Sequence, residues 1–239
     1  MTISLIIIFV EFGILFLFTK SKSILSSKDL FPNISDELLN KFNSYDTEIG
    51  WISKKKSIKK EVSKGNLVEY TYNQKGARSL GIQKDKIKPT ISTYGDSYCM
   101  CREVNDSETW QAFLSNYSKE NILNFGVGNY GLDQSILRLK REFKSNQTHT
   151  VIIGITPYTI TRITSVWKHL SEFHNVLAVK PRYIVKKNKL LFIPNIIKNK
   201  KDIKQISKFK THFTKYDEHY SYFLNNIYSF PLTISFLFN

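Results

Sequence analysis

From Pro89 onward the chain alternates short apolar runs with stretches whose apolar residues recur at helical spacing. Residues 91–94 read as a strand. Residues 107–116 read as a helix, with Ser107 as N-cap and Trp110, Phe113 and Leu114 on its buried face. A second strand is predicted over 122–125, then a helix over 132–143 carrying Leu132, Ile136, Leu139 and Phe143 on one stripe. Residues 150–155 are almost continuously apolar, the pattern of a strand covered on both faces, and 159–170 return to helical spacing. Upstream, residues 67–72 alternate, with Val68, Tyr70 and Tyr72 on one face of a strand. Alternating strands and helices predict an α/β fold: a three-layer α/β/α arrangement around a mostly parallel sheet.

The flanks follow other patterns. Residues 3–18 are apolar except for Glu11. At 1.5 Å per residue they span roughly 24 Å, a little under the ~30 Å hydrocarbon core. Residues 1–20 are therefore expected to form an N-terminal hydrophobic anchor helix that fixes the protein to a membrane. Thr19-Lys20-Ser21-Lys22 offers no small-x-small cleavage site. Lys20, Lys22 and Lys28 follow the anchor and no cation precedes it, which by the positive-inside rule puts the body in the cytoplasm. Residues 21–66 read as a linker with one short capped helix near Asn33-Ile34-Ser35-Asp36, and Lys54-Lys55-Lys56 and Lys59-Lys60 as a solvated loop. The main domain is placed at 67–239, with a basic insertion at 180–215. That insertion interleaves Tyr183, Phe192, Phe209 and Phe213 with lysines, and Asp202 is its only acid. Its apolar residues are expected to pack on the domain and its lysines to stay solvated, the alternative being a polyanion surface. Residues 220–239 are aromatic and apolar but too short and interrupted for a membrane span.

Composition changes this picture in two respects. A chain of 239 residues, 41% hydrophobic and 14% aromatic, is large and apolar enough for a folded core, which excludes global disorder. Its formal charge of +15 favours acidic partners without choosing among nucleic acid, anionic membrane and acidic polysaccharide. The two cysteines, Cys99 and Cys101, are too few for a zinc site, and a strand-to-helix turn points them apart, which argues against a mutual disulfide. No metal or cofactor is expected.

The candidate chemistry lies where the first two strands end. One runs into Gly95-Asp96-Ser97 and the other into Gly126-Val127-Gly128-Asn129-Tyr130-Gly131. If the strands are parallel neighbours, both turns meet at the carboxyl edge of one sheet, where open α/β sheets bind ligands. A serine at a helix start there has an exposed hydroxyl and a free backbone N–H, the ingredients of a nucleophile with an oxyanion hole.

Gly95-Asp96-Ser97 after a strand resembles the first block of the SGNH (GDSL-type) hydrolases, and Asn124 to Gln134 resembles their second block in the form found in bacterial membrane-anchored members. Gly50-Trp51 and Tyr72-Asn73-Gln74-Lys75-Gly76-Ala77-Arg78 are similar to segments that precede the serine turn in those members. The resemblance, which covers residues 50–162, implies a flavodoxin-like sheet and a serine esterase held outside the cytoplasmic membrane. This location opposes the one that the charge rule gives. Ser97 would be nucleophile and oxyanion donor, Asp96 turn support, and Gly128 and Asn129 further oxyanion donors. The implied substrate is an ester, such as an acylated cell-surface glycan; nucleic acid is not the expected partner.

The chain departs from the family at three points. Asn129 stands at a glycine position of the second block. The third strand runs into Gly154-Ile155-Thr156-Pro157 with no Asn, leaving Arg162 as the nearest side-chain donor. No His has an Asp three residues before it; Asp217-Glu218-His219 comes nearest and makes His219 the candidate base. The family's closing strand–helix unit and its catalytic His are accordingly expected to be missing, as in a truncated member. The alternatives are a catalytically incomplete homologue and a membrane-tethered polyanion binder.

Overall fold

The computed structural model describes residues 9–14, 16, 27–63, 65–82, 88–225 and 227. Its strands are β1 (Tyr45–Asp46), β2 (Gly50–Trp51), β3 (Ser57–Ser63), β4 (Asn66–Tyr72), β5 (Pro89–Tyr94), β6 (Asn121–Asn124), β7 (Thr150–Ile153), β8 (Arg182–Lys186) and β9 (Lys189–Ile193). β5, β6 and β7 form a parallel sheet in the order β6-β5-β7. Ile91 pairs with Ile122 on one side and Thr150 on the other. The fold is thus α/β with a parallel sheet, as the alternation of strand and helix requires.

This strand order positions the site. The connection from β5 passes through the helix Trp110–Ser118 to β6, its neighbour. The connection from β6 passes through the helix Leu132–Glu142 and crosses β5 to reach β7. Winding therefore reverses at β5, and the carboxyl end of such a strand is where open α/β sheets bind ligands. The turns after all three strands share that edge.

Beyond β6, Arg78 extends the sheet. Its backbone bridges Tyr72 of the β3–β4 hairpin on one side and Asn124 on the other. Its guanidinium is fully buried over the Tyr70 ring. There it donates to Asp106 (2.8 Å) and to the carbonyls of Met100 (2.7 Å), Cys101 (2.7 Å) and Val104. One cation thus ties the hairpin to the segment that follows Ser97.

The largest apolar cluster lies among the other elements. Trp167 stacks on Phe31 and Phe213, joined by Leu30, Ile34, Leu39, Ile203, Ile206 and Phe223. The stretch read as a linker therefore packs into the folded body. It contributes core residues, the helix Asp36–Lys41 capped by Ser35, and three strands. Lys59 and Lys60 lie on β3, not in a loop. The basic stretch is the β8–β9 hairpin followed by helical turns, and two of its cations, Lys180 and Arg182, are buried.

Three burial expectations are corrected. The helix Trp110–Ser118 is capped by Thr109, not Ser107, and buries Gln111, Ala112 and Ser115, leaving Phe113 65% exposed. The helix Leu132–Glu142 buries Asp133, Gln134, Ser135, Arg138 and Glu142, so its inner face is polar instead of the expected apolar stripe. β7 is only partly covered, with Val151 36% exposed, because no strand among the described residues pairs with its outer side. Of the expected anchor, residues 9–14 and 16 are helical and the rest lies outside the described residues. None of the helices among the described residues is long and apolar enough to cross a membrane. The C-terminal stretch begins as the helix His219–Asn225, which buries Tyr220 and Phe223. Apart from Ile227, the remainder lies outside the described residues.

Replacing Arg78 by Ala strands the Asp106 carboxylate and three carbonyls without their donor. The expected loss is about 3–5 kcal/mol of unfolding free energy, read by urea denaturation against the wild-type chain.

Candidate functional site

Ser97 opens a four-residue helix, Ser97–Met100, directly after β5. Asp96 is its N-cap and accepts a hydrogen bond from the Tyr98 N–H (2.9 Å). Asp96 is buried; Ser97 is half-buried, and its hydroxyl has no hydrogen-bond partner among the described residues. As the first helical residue, Ser97 also has no intrahelical acceptor for its N–H.

The turn is fixed from both sides. The Gly95 carbonyl accepts from Val127 N–H of the second turn (3.0 Å), and the Tyr94 carbonyl accepts from Gly154 N–H of the third (2.8 Å). Two glycines allow the short helix to sit this close. A Cβ on Gly126 would lie 2.4 Å from the Met100 nitrogen, and one on Gly95 would lie 2.6 Å from the Cys99 Cβ. The same packing buries the Cys99 thiol and pushes its pKa up to about 12. Cys101 is also raised, chiefly by burial, and both cysteines are free thiols.

The second turn places Asn129 at φ 68°, in the left-handed region that Asn tolerates better than most residues. Neither the Gly128 nor the Asn129 N–H has an acceptor among the described residues, and the space beside Gly128 is open. Gly50-Trp51 holds this turn from outside. Trp51 Nε1 donates to the Gly128 carbonyl (3.0 Å), and the Tyr130 hydroxyl donates to the Trp51 carbonyl (2.6 Å). Gln134 Nε2 donates to the Ile49 carbonyl (2.8 Å), while its Oε1 accepts from Gly131 N–H (3.1 Å). Gly50 sits at φ 98° with the Val179 carbonyl 2.5 Å from where a Cβ would stand.

Arg162 does not serve as a free donor. Its Nη1 points to Asp96 Oδ2 (3.5 Å) and to the Tyr130 carbonyl (3.4 Å), and its Nε donates to Glu172 (2.7 Å). Thr156 Oγ1 adds a hydrogen bond to the same Asp96 oxygen (3.1 Å). Glu172 also pairs with Lys168 (2.8 Å), and Lys180 pairs with Asp133 at the start of the helix Leu132–Glu142. Burial lowers Lys168 to about 8 and also lowers Lys180. The two ion pairs on Glu172 hold its carboxyl below the usual range despite burial.

The structure gathers Asp96, Ser97, Gly128 and Asn129 at the sheet edge but does not bring His219 into hydrogen-bond contact with Ser97. The His219 ring bonds Thr164 Oγ1 (2.8 Å), two residues beyond Arg162, and the His219 backbone N–H donates to Asp217 (3.0 Å). Asp217 itself caps Ser165, Val166 and Trp167. Sequence reasoning missed Thr156 and the tie from Arg162 to Asp96. Their one legible signal is position, just past the third strand. Among the described residues no group of three or more His, Cys, Asp or Glu is arranged to hold a metal ion. No family model matches this chain, and no curated protein matches it either.

Two outcomes follow. Gly126→Ala forces the helix Ser97–Met100 off the second turn, with an expected cost of about 1–3 kcal/mol in chemical denaturation. For Lys168, the folded value near 8 lies below the ordinary 10.5, so the unfolded chain holds more protons between them. Stability from this group is therefore gained as pH rises from about 8 to 10.5 and lost as it falls back. Lys168→Met should abolish that rise in a pH series of urea midpoints.

Proposed function

We propose that this chain is a serine esterase of the SGNH type, with the three-layer α/β/α fold that the resemblance implies. The observation that carries the reading is the pair of interlocked turns at the point where the sheet reverses its winding, one presenting Ser97 with an unbonded hydroxyl. Right-handed crossovers, applied to the strand order, put the helices Trp110–Ser118 and Leu132–Glu142 on opposite faces of the sheet. N–H groups without acceptors among the described residues at Ser97, Gly128 and Asn129 supply candidate oxyanion donors, each of the kind worth about 3–4 kcal/mol to acyl transfer.

The reaction proceeds in two steps. Ser97 Oγ attacks an ester carbonyl and loses its proton to a base, the carbonyl oxygen taking the negative charge. Collapse expels the alcohol, which takes up the proton, and leaves an acyl-serine that water hydrolyses by the reverse proton traffic. His219 is the candidate base, two residues from Asp217, whose carboxylate accepts from the His219 backbone N–H. The protein is held to a membrane by its N-terminal segment, with the domain on the outer side and an acylated surface glycan as substrate.

A second reading is a catalytically incomplete homologue. It is favoured by the His219 ring being bonded to Thr164 instead of Ser97.

Labelling of the full chain with a fluorophosphonate probe decides between them. Labelling that Ser97→Ala abolishes and His219→Ala reduces at least tenfold is expected. A folded chain that takes no label overturns the esterase reading and leaves the incomplete homologue.

A further inference from the structure

Beside the second turn lies a cavity of about 560 Å³, bounded by Gly128 and Asn129, by Trp51 and by the end of the segment that Ser97 opens. Its cationic lining is Lys41, Lys54, Lys59 and Arg102, and among the described residues no acid lines it. The acids paired with these cations compensate only in part. Glu37 pairs with Lys41 (2.6 Å), and the single carboxylate of Glu61 is shared by Lys59 (2.7 Å) and Arg102 (2.5 Å). Lys54 pairs with no acid among the described residues. The wall thus keeps an excess of positive charge, carried at its rim by side chains exposed to solvent.

The rest of the lining mixes the apolar Ile52, Ile58, Met100 and Val127 with polar side chains, some of them unengaged. The side chains of Asn43, Ser44 and Asn129 hydrogen-bond to nothing among the described residues. Trp51 and Tyr72 are both buried, with their polar atoms bonded inward, so they offer no open ring face on which a base could stack. Cations together with small hydrogen-bonding side chains suit a hydroxyl-rich anion.

We propose that this cavity binds an acidic glycan, one whose sugar units carry carboxylate or phosphate groups, and that it holds the substrate chain beside Ser97. The assignment to substrate rests on the esterase reading above; the binding itself does not. Asn129 belongs to both places: it lines the cavity, and it sits in the turn whose Val127 N–H bonds the Gly95 carbonyl of the serine turn. A glycan anchored by charge at Lys54 leaves its acyl ester to approach from the Gly128 side.

The test is calorimetric titration of the full chain carrying Ser97→Ala, so that hydrolysis cannot interfere. The ligands are tetragalacturonate, its neutral methyl-esterified form, and tetrathymidylate. Tetragalacturonate is expected to bind at least tenfold tighter than the neutral form. Lys54→Glu is expected to weaken it about fivefold or more, and Lys187→Glu, the same charge change at the tip of the β8–β9 hairpin, to leave it unchanged. Equal weakening by both variants reduces the effect to bulk charge and overturns the proposal, as does equal affinity for the neutral form. Tetrathymidylate binding as tightly as tetragalacturonate overturns the glycan assignment. Binding as expected in a chain whose Ser97 takes no fluorophosphonate sinks the esterase reading alone.

Discussion

The carboxylate of Asp96 is the point on which the site's geometry depends. It is buried at the end of the central strand, where an unpaired charge would be costly. It is satisfied instead from three directions: the Tyr98 N–H, the Thr156 hydroxyl and the Arg162 guanidinium. Each donor belongs to a different part of the edge, so stabilising one charge also sets the positions of the helix after β5 and the turn after β7. Arg162 carries the constraint further, through its second bond to the Tyr130 carbonyl of the turn after β6. The serine is thus held by its neighbour's charge, while its own hydroxyl stays uncommitted.

Around this point the chain buries an unusual number of charges in place of apolar contacts. Arg78, Arg138, Arg162, Lys168, Lys180 and Arg182 all lie inside. Those at the sheet edge work as ties between distant segments. Arg78 joins the β3–β4 hairpin to the loop after the serine helix, and Lys180 joins the basic stretch to the helix Leu132–Glu142. Such pairs add little net stability over well-packed apolar groups, but breaking one leaves an uncompensated charge. They therefore specify arrangement more than they stabilise it. Among the described residues the other lysines stay largely outside, and some of these line the cavity beside the second turn.

The segments that resemble the SGNH pattern turn out to be mechanically connected. Gly50-Trp51 braces Gly128 and Tyr130, and the turn before Arg78 delivers that residue to the segment following Ser97. That connection links residues nearly eighty positions apart, from Trp51 to Gly128 and Tyr130. It gives a physical reason for glycine at position 50, where any side chain would meet the Val179 carbonyl.

Strand positions, the two turns and the α/β class were legible in the sequence, because each is set by local periodicity and by glycines that permit close approach. The positions of Ser97, Asp96, Gly128 and Asn129 at the two turns were legible the same way, since a residue's place at a strand end is a local property, whereas the roles expected of them came from the resemblance. Burial was not. The helix Leu132–Glu142 carries a strong apolar stripe, yet its buried face holds Asp133, Gln134 and Arg138, because their partners at Lys180, Ile49 and Gly76 come from elsewhere in the chain. Periodicity registers which residues share a face; it cannot register that a buried charge will find its counterion. The engagement of Arg162 with Asp96 and of His219 with Thr164 was decided in the same way, by contacts between segments that only the tertiary fold brings together.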